Sequence, residues 1–435
     1  MKATTLLPYQ ETAMDFLSQF PKSAGYLEMG LGKTFIGSET IKKWWDSGIR
    51  HIVVLCQLSK VGEADVPDTW MHHLATYTDI PVYNGRKDLN FEKEGIFVLN
   101  YDMAIRRKEL SAIPQPYGII CDESSILQNR RTKRSLMMLG KDRAMKSGIG
   151  SKAQCIQLLS GTPCNGKYEN LWVQARLLGY KGSYNKWLSD YCEYTIDPDK
   201  YYYIITGYKN VDALIKEMHK LGCYFLKVEE AIDLPEHVNI THISDPPKEY
   251  KKLCRTGTYV NAKGEEIIAD TTLKQYLEER KLCAMNPNKY ALIQDIIEST
   301  EKRVVVLCNF VEEYTEVKRI ALELGRPVSE INGSVKDRTA FDKFDNAVLI
   351  IQYQAGSKGG NFQLASHMIL ASPPVSSENY MQAKARIKRV GQKDHCFYYE
   401  LVGGKIEESI YESVRAGRDY TLALYEKELD ENGNT

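Results

Sequence analysis

A glycine-rich segment near the start of the chain has the residue types of a phosphate-binding loop. In LEMGLGKTF, Gly32, Lys33 and Thr34 fit the end of the pattern G-x-x-x-x-G-K-[ST], and Gly30 adds a second flexible position. The first residue, Leu27, stands where that pattern has glycine. Such a loop points backbone N–H groups at phosphate oxygens, and the N-terminus of the following helix favours the same negative charge. We therefore predict that Lys33 reaches the β- and γ-phosphates of a nucleotide and that the Thr34 hydroxyl coordinates Mg²⁺.

A pair of acidic residues follows a later apolar run, YGIICDE, at Asp122 and Glu123. We predict that Asp122 holds Mg²⁺ and that Glu123 accepts the proton of the attacking water, as in nucleotide hydrolases. A pair of surface acids at the end of a strand is the alternative. The order of loop and acid pair, each after its own strand, favours the nucleotide site.

A third polar segment, Ser160 to Pro163 (SGTP), follows another apolar run. Ligands bind at the C-terminal ends of the strands in open α/β sheets, so this segment could contribute to the same site. By itself the segment predicts only a turn.

Short apolar runs that alternate with amphipathic segments must position these residues. Continuous β-branched runs are typical of parallel strands that are covered on both faces, and alternation with helices predicts an α/β fold. The alternation occurs twice, which predicts two domains. The predicted strands are AGYLEM, HIVVLC, GIFVLN, YGIICDE and QCIQLLSG in the first half and RVVVLCNF, NAVLIIQY, SHMILAS and CFYYELV in the second.

A charged segment with a proline, LKVEEAIDLPEHV (226–238), is the predicted junction of the two domains. We predict an N-terminal domain over 1–235 and a C-terminal domain over 236–435. Residues from about 246 to 300 are predicted to form a polar helical insertion ahead of the second sheet. The tyrosine-rich segment within 181–225 is predicted to form an aromatic hairpin that packs on its own domain, with stacking on nucleic-acid bases as the alternative.

Composition limits the classes of function. The 435 residues are 43% hydrophobic and 26% charged with a formal net charge of zero, which is typical of a soluble globular protein. A neutral chain has no global positive field, so any nucleic-acid site must be local. The ten cysteines form no C-x-x-C pair, which disfavours a zinc ribbon and predicts a reducing, cytoplasmic compartment. No apolar run approaches the length of a membrane span, so no membrane partner is expected.

The three segments of the first half together resemble those of the superfamily 2 helicases and translocases. The sequence EMGLGKT is similar to the phosphate loop of the Swi/Snf-type ATPases. The phosphate loop of that superfamily lacks the first glycine, which explains Leu27. The resemblance implies two tandem RecA-like domains with the ATP site in the interdomain cleft, and ATP and Mg²⁺ as substrate and cofactor. It further implies that Gln10 reads adenine and that Ser160 and Thr162 couple hydrolysis to nucleic-acid binding. The implied nucleotide-binding loop comprises Met29, Gly30, Leu31, Gly32, Lys33 and Thr34.

In the second half, QAKARIKRVGQ resembles the family motif Q-x-x-x-R-x-x-R-x-G-Q. Gln382, Arg386 and Arg389 lie at i, i+4 and i+7, so we predict that they form one stripe of a helix. The resemblance implies that Gln382 contacts the nucleotide and that the arginines neutralise charge on the γ-phosphoryl group. A solvated basic helix is the alternative.

Other segments resemble the nucleic-acid contacts of the family. YQAGSKGGN is similar to the segment A-G-G-x-G-x-N-L, whose glycines allow close approach to a phosphate. The implied contacts with nucleic acid are Lys60, Asn100, Gly356, Lys358, Gly359 and Asn361.

The resemblance implies a DNA-dependent ATPase that acts as a monomeric translocase on double-stranded DNA, of a compact kind found in bacteria and phages. A strand-separating helicase on forked DNA or RNA is an alternative with the same fold. A nucleotide-gated clamp that binds nucleic acid with little hydrolysis is an alternative of another class, and Glu123 argues against it because a switch often lacks the group that activates water.

Overall fold

The computed structural model of the chain divides into two compact units, Met1–Ile232 and Asp233–Thr435. The division falls inside the charged segment 226–238. The structure describes residues 5–142, 144–164, 166–196, 203–232, 235–353, 360–389 and 391–433.

The first unit is built on a seven-stranded sheet in which all neighbouring strands are parallel, in the order β3-β4-β2-β5-β6-β1-β9. A separate antiparallel hairpin consists of β7 and β8. The strands are β1 (Lys22–Leu27), β2 (His51–Cys56), β3 (Val82–Asn84), β4 (Gly95–Asn100), β5 (Tyr117–Asp122), β6 (Cys155–Leu159), β7 (Cys192–Ile196), β8 (Tyr203–Tyr208) and β9 (Cys223–Leu226).

Helices cover this sheet and bury β4 and β5 completely. Short 3₁₀ segments lie at Lys108–Ala112, Ser124–Leu127 and Tyr168–Leu171. The α-helices are α1 (Pro8–Leu17), α2 (Lys33–Asp46), α3 (Leu58–Val61), α4 (Trp70–Tyr77), α5 (Tyr101–Ala104), α6 (Lys133–Leu139), α7 (Ile149–Lys152), α8 (Trp172–Leu178), α9 (Tyr184–Tyr191), α10 (Val211–Lys220) and α11 (Val228–Ala231).

The second unit contains another seven-stranded sheet, in the order β10-β18-β17-β13-β16-β14-β15, with only the pair β14–β15 antiparallel. The strands β11 and β12 form a separate hairpin. The strands are β10 (His237–Ile243), β11 (Thr258–Val260), β12 (Glu266–Ile268), β13 (Val304–Cys308), β14 (Val328–Ile331), β15 (Lys336–Asp337), β16 (Val348–Gln352), β17 (His367–Leu370) and β18 (Cys396–Val402).

The helices of the second unit are α12 (Lys248–Thr256), α13 (Thr272–Ala284), α14 (Pro287–Glu298), α15 (Val311–Glu323), α16 (Thr339–Lys343), α17 (Ser377–Lys384), α18 (Lys405–Arg415) and α19 (Leu422–Gly433). None of the described helices is long and apolar enough to cross a bilayer.

The predicted α/β class with two parallel sheets is confirmed, and each of the nine predicted strands is present. HIVVLC, GIFVLN and CFYYELV coincide with β2, β4 and β18. All residues of β4 are buried, and so are all residues of β2 except the first, so these two sequences are largely apolar. The strand β18 is less uniform, because it has partly exposed positions and contains the buried Glu400.

The prediction for the helical insertion of the second unit was incomplete in two respects. The segment 246–300 contains the hairpin β11–β12 besides its helices. The strand β10 precedes this segment and pairs with β18 in the main sheet. Because β10 is an edge strand with largely exposed side chains, its sequence HVNITHI has no apolar run that would predict it.

The tyrosine-rich segment forms the packed hairpin that its sequence predicts. The Tyr208 hydroxyl donates to Glu169 Oε2 at 2.9 Å, and the Tyr168 and Tyr208 rings lie 4.6 Å apart between centroids. These contacts hold the described part of the hairpin against the rest of the first unit.

Candidate active site

The phosphate loop joins β1 to α2 and contains two glycines in the left-handed region, Gly30 with φ of 90° and Gly32 with φ of 75°. Gly32 is the N-cap of α2, so the loop ends where the free N–H groups of the helix begin. A Cβ atom on Gly32 would lie 2.4 Å from Gln10 Nε2, so a larger residue would displace that side chain. The left-handed backbone is the stronger reason for glycine at this position.

Lys33 opens α2, and its ammonium group donates to the carbonyl of Leu27 at 3.2 Å, across the loop. A Cβ atom on Gly161 would lie 3.4 Å from Lys33 Nζ and 3.1 Å from Met29 Cγ. The SGTP segment thus lies against the phosphate loop, and Gly161 leaves space beside the ammonium group.

Gln10 is buried against the same loop. Its Oε1 accepts from Leu7 N at 3.0 Å, and its Nε2 donates to Leu31 O at 3.1 Å. The side chain therefore connects the start of α1 to the phosphate loop, and the adenine contact stays a prediction.

Asp122 ends β5 and is 7% exposed. Trp70 Nε1 donates to its Oδ2 at 2.9 Å, and the Tyr101 hydroxyl donates to its carbonyl oxygen at 2.9 Å. Burial raises the pKa of Tyr101 well above its ordinary value, so this hydroxyl keeps its proton and remains a donor. The bond from Trp70 orients the carboxylate, and the bond from Tyr101 holds the backbone at the end of β5. Neither partner could be predicted, because Trp70 and Tyr101 lie far from Asp122 along the chain.

Glu123 has a left-handed backbone, with φ of 49° and ψ of 54°. This conformation is unfavourable for a residue with a side chain and is kept only where the surroundings hold it. The chain turns here from β5 into the 3₁₀ segment Ser124–Leu127. Strain of this kind next to Asp122 is typical of a functional site.

The two predicted coupling residues lie after β6, beside the phosphate loop. Ser160 is buried, and its N–H donates to Gly25 O of β1 at 3.3 Å. Its hydroxyl accepts from Thr162 N at 3.2 Å. Thr162 Oγ1 is buried and has no hydrogen-bond partner among the described residues.

These residues fit a nucleotide with Mg²⁺. Gly161 leaves room beside Lys33, and the buried hydroxyl of Thr162 has no hydrogen-bond partner among the described residues. Asp122 and Thr34 offer the hard oxygen ligands that Mg²⁺ prefers.

A buried glutamine, Gln174 of α8, joins several of these segments, and sequence reasoning missed it. Its Oε1 accepts from the Tyr26 hydroxyl at 3.0 Å and from the Ser124 hydroxyl at 2.9 Å. Its Nε2 donates to Pro163 O at 2.7 Å. No local pattern marks such a residue, since its partners lie in three different parts of the chain.

In the second unit, the prediction that Gln382, Arg386 and Arg389 form one helical stripe is wrong. The helix α17 ends at Lys384, so only Gln382 is helical, and its Nε2 donates to Glu378 Oε1 at 2.9 Å. Beyond the helix, backbone carbonyls bond to distant partners. Arg386 O accepts from Phe362 N at 3.0 Å, and Gln392 Nε2 donates to the carbonyl of residue 387 at 3.0 Å.

Both arginines contact the segment that the sequence predicts to bind nucleic acid. Arg386 Nη1 donates to Gly360 O at 3.1 Å, and Arg389 Nη1 donates to Asn361 Oδ1. The structure therefore brings together two motifs that are separated along the sequence.

The remaining predicted nucleic-acid contacts differ in exposure. Lys60 Nζ donates to Asp68 O at 3.0 Å, whereas Asn100 is only 7% exposed at the end of β4. Little of the Asn100 side chain can therefore touch a ligand without rearrangement. The predicted contacts Gly356, Lys358 and Gly359 lie outside the described residues.

Comparison with protein families gives a match to the helicase conserved C-terminal domain over residues 288–391, within the second unit. The human protein named DNA annealing helicase and endonuclease ZRANB3 is 23% identical over 92% of this chain and 39% of its own length. The Bacillus subtilis protein named uncharacterized ATP-dependent helicase YqhH is 23% identical over 86% of this chain and 71% of its own length.

A Caenorhabditis elegans protein, named as a homologue of the SWI/SNF-related chromatin regulator subfamily A-like protein 1, is 22% identical over 93% of this chain and 59% of its own length. The chain thus spans less than two thirds of the human and nematode relatives. Among solved structures, the Sulfolobus solfataricus SWI2/SNF2 ATPase core in complex with dsDNA is 19% identical, with a TM-score of 0.45 and coverage of 95% of this chain and 91% of that chain. Residues 288–391 thus match a helicase C-terminal domain, and the resemblance of the chain to the Swi/Snf-type helicases is confirmed.

Proposed function

We propose that this chain is a DNA-dependent ATPase that acts as an ATP-driven translocase on double-stranded DNA. The observation that carries the proposal is the arrangement of three adjacent parallel strands, β5, β6 and β1. Their C-terminal ends carry Asp122 and Glu123, the SGTP segment, and the phosphate loop. This edge of a parallel sheet is where nucleotides bind in open α/β folds.

Each side chain has a role that follows from its chemistry. Lys33 binds the β- and γ-phosphates, while Thr34 and Asp122 hold Mg²⁺. When bound, Mg²⁺ neutralises charge on the phosphates. Glu123 accepts the proton of the attacking water. Trp70 keeps the carboxylate of Asp122 oriented through the bond to Oδ2.

The second unit supplies Arg386 and Arg389, which we propose to neutralise charge on the transferred phosphoryl group. Their bonds to Gly360 and Asn361 support a link between hydrolysis and DNA binding. If Asn361 moved on binding a DNA phosphate, its hydrogen bond with Arg389 would change and Arg389 would be displaced.

The names of the relatives support DNA as the nucleic acid along which the chain moves, since the human relative is named a DNA annealing helicase. A helicase that separates the strands of forked DNA or RNA uses the same ATP chemistry and is the alternative. A clamp with little hydrolysis is disfavoured by the position of Glu123, held in a strained conformation directly after Asp122.

The test is an ATPase assay of the full chain with no nucleic acid, duplex DNA, single-stranded DNA and RNA in parallel. We expect Mg²⁺-dependent turnover that is low alone and strongly stimulated by duplex DNA. Displacement of a third strand from a DNA triplex measures translocation, and release of a labelled strand from a fork measures unwinding. Triplex displacement without fork unwinding supports the translocase. Fork unwinding supports the helicase, and nucleotide binding without turnover supports the clamp.

A further inference from the structure

Gln174 occupies a position from which one side chain can hold three parts of the proposed site. It is fully buried in α8. Its partners are Tyr26, which precedes the phosphate loop; Ser124, which follows Glu123; and Pro163, which ends the SGTP segment. The distances of 2.7 to 3.0 Å are those of well-formed hydrogen bonds.

We propose that Gln174 is a positioning residue for ATP hydrolysis, which holds Glu123 and the SGTP segment in register with the phosphate loop. The proposal rests on the ATPase function proposed above. Gln174 has no role in contacting nucleotide, and its effect passes through the three residues that it binds.

The chemistry of a primary amide suits this position. The carbonyl oxygen of an amide accepts two hydrogen bonds, and here it accepts from the hydroxyls of Tyr26 and Ser124. The amide nitrogen donates, and here it satisfies the carbonyl of Pro163. Leucine offers neither function, and an ionised glutamate accepts but cannot donate. Loss of the amide would leave buried polar groups unsatisfied, which is costly in a low-dielectric interior.

The bond to Ser124 bears most directly on Glu123. Glu123 has a left-handed backbone, which reverts to commoner conformations unless its neighbours are held. Ser124 directly follows Glu123, and its hydroxyl donates to Gln174 Oε1. Gln174 is itself fixed by its hydrogen bonds to Pro163 and Tyr26. Release of this contact would misplace the Glu123 carboxylate, whereas the Lys33 contact with Leu27 would persist. Turnover should therefore fall with little change in ATP affinity.

The first test uses Gln174→Glu, because the protonation state of the introduced carboxyl group decides whether it can donate a hydrogen bond to Pro163 O. An ionised glutamate lacks the donor to Pro163 O, and a protonated glutamate restores it. Burial raises the pKa of a carboxyl group, which brings this change into the range of an assay between pH 6 and 8. The titratable neighbours Tyr26, Cys164 and Cys223 stay neutral there, since burial raises the pKa of each.

We expect kcat of Gln174→Glu to be about tenfold below that of the parent at pH 8 and to recover towards the parent as the pH falls to 6. Each value is compared with the parent at the same pH, which cancels the effect of pH on the activity of the parent. The dissociation constant for a fluorescent ATP analogue should stay within about threefold of the parent. Gln174→Leu should have low kcat at every pH.

The matched control is Gln157→Glu. Gln157 is also fully buried in the first unit, but it donates to Thr40 Oγ1 at 2.8 Å, in α2. The substitution Gln157→Glu introduces a buried carboxyl group of the same kind, at a position that has no hydrogen bond to Ser124 or Pro163. Recovery of kcat at low pH in Gln174→Glu alone supports the proposal. The same recovery in Gln157→Glu, or a parent-like kcat of Gln174→Glu at pH 8, overturns it.

A second measurement does not depend on ATP turnover. Hydrogen exchange of full-chain Gln174→Leu should be faster than in the parent in peptides that cover 123–127 and 160–164, and unchanged in peptides from α2. Unchanged exchange in both segments would overturn the positioning role. If the parent itself shows no ATPase activity while exchange responds as expected, the proposed function fails and the structural connection through Gln174 stands.

Discussion

Arg389 donates from Nη1 to Oδ1 of Asn361, which joins a residue predicted to act on ATP to one predicted to bind DNA. Arg386 makes a parallel contact with the carbonyl of Gly360. Both bonds lie within the second unit. The arginine motif and the glycine-rich motif are therefore joined by hydrogen bonds, through which we expect a change at one to affect the other.

Arg389→Ala should abolish most of the DNA-stimulated ATPase activity and leave DNA affinity largely intact. The expected loss is on the order of 10³-fold in stimulated kcat, the magnitude associated with arginines that stabilise phosphoryl transfer. Steady-state ATPase assays and DNA-binding anisotropy measure the two quantities. The matched control is Arg319→Ala, an arginine of α15 that pairs with Glu316 and Glu323 and is half exposed. Stimulated turnover of Arg389→Ala equal to that of the control would contradict the role.

Glu123→Gln should bind ATP as the parent does and lose turnover by about 10²- to 10⁴-fold, because only the proton acceptor is removed. Lys33→Ala should instead weaken nucleotide binding itself. Nucleotide binding by fluorescence and single-turnover hydrolysis separate the two effects. Turnover of Glu123→Gln within a few-fold of the parent would exclude Glu123 as the base.

Trp70→Phe should raise the Mg²⁺ concentration needed for half-maximal ATPase activity by about tenfold. The substitution keeps an aromatic ring in the core but removes the donor to Asp122 Oδ2, and outer partners of this kind orient metal ligands. Trp172→Phe is the control, since Trp172 Nε1 donates to Gly182 O at 3.2 Å in the same unit. Equal Mg²⁺ requirements for the two variants would show that the bond to Asp122 has no such role.

We expect the buried carboxyl group of Glu313 to make the stability of the second unit depend on pH. Burial raises the pKa of this carboxyl group to about 7, despite the nearby Lys289 and the donors Asn309 N and Ser372 Oγ. Between its ordinary pKa and pH 7, the folded state binds more protons than the unfolded state, so stability falls as pH rises through that window.

Glu313→Gln removes this titration. The free energy of unfolding of the variant, relative to the parent, should therefore increase from pH 5 to pH 8 by up to about 3 kcal/mol. Denaturant unfolding of the full chain at each pH measures the difference, with Glu312→Gln as the control on the adjacent, partly exposed residue. A difference between Glu313→Gln and the parent that is independent of pH would show that Glu313 is ionised throughout.

The parts of the structure that could be predicted are those whose causes are local in the chain. The phosphate loop depends on Gly30, Gly32 and Lys33 within a few residues, and the buried strands β2 and β4 are apolar along most of their length. The end of α17 at Lys384 could not be predicted, because the carbonyls beyond it bond to Phe362 N and Gln392, which lie outside the helix. Edge strands with exposed side chains, such as β10, give no apolar signal.

The partners that orient the site are also distant in sequence. Trp70 lies 52 residues from Asp122, and Gln174 lies 148 residues from Tyr26. Hydrogen bonds over such separations depend on how the sheet is assembled. A single sequence contains no periodic or spacing signal for them.

The order of strands in the first sheet determines when the phosphate loop can form during synthesis. The strand β1, which leads into the loop, lies between β6 and β9. Its two neighbouring strands are translated much later than β1, because β6 spans residues 155–159 and β9 spans residues 223–226. Domains fold as units during translation, and strand pairings over such separations form late. A nascent chain arrested before β6 therefore lacks both strands that pair with β1, and we expect nucleotide binding only when nearly the whole first unit has been made.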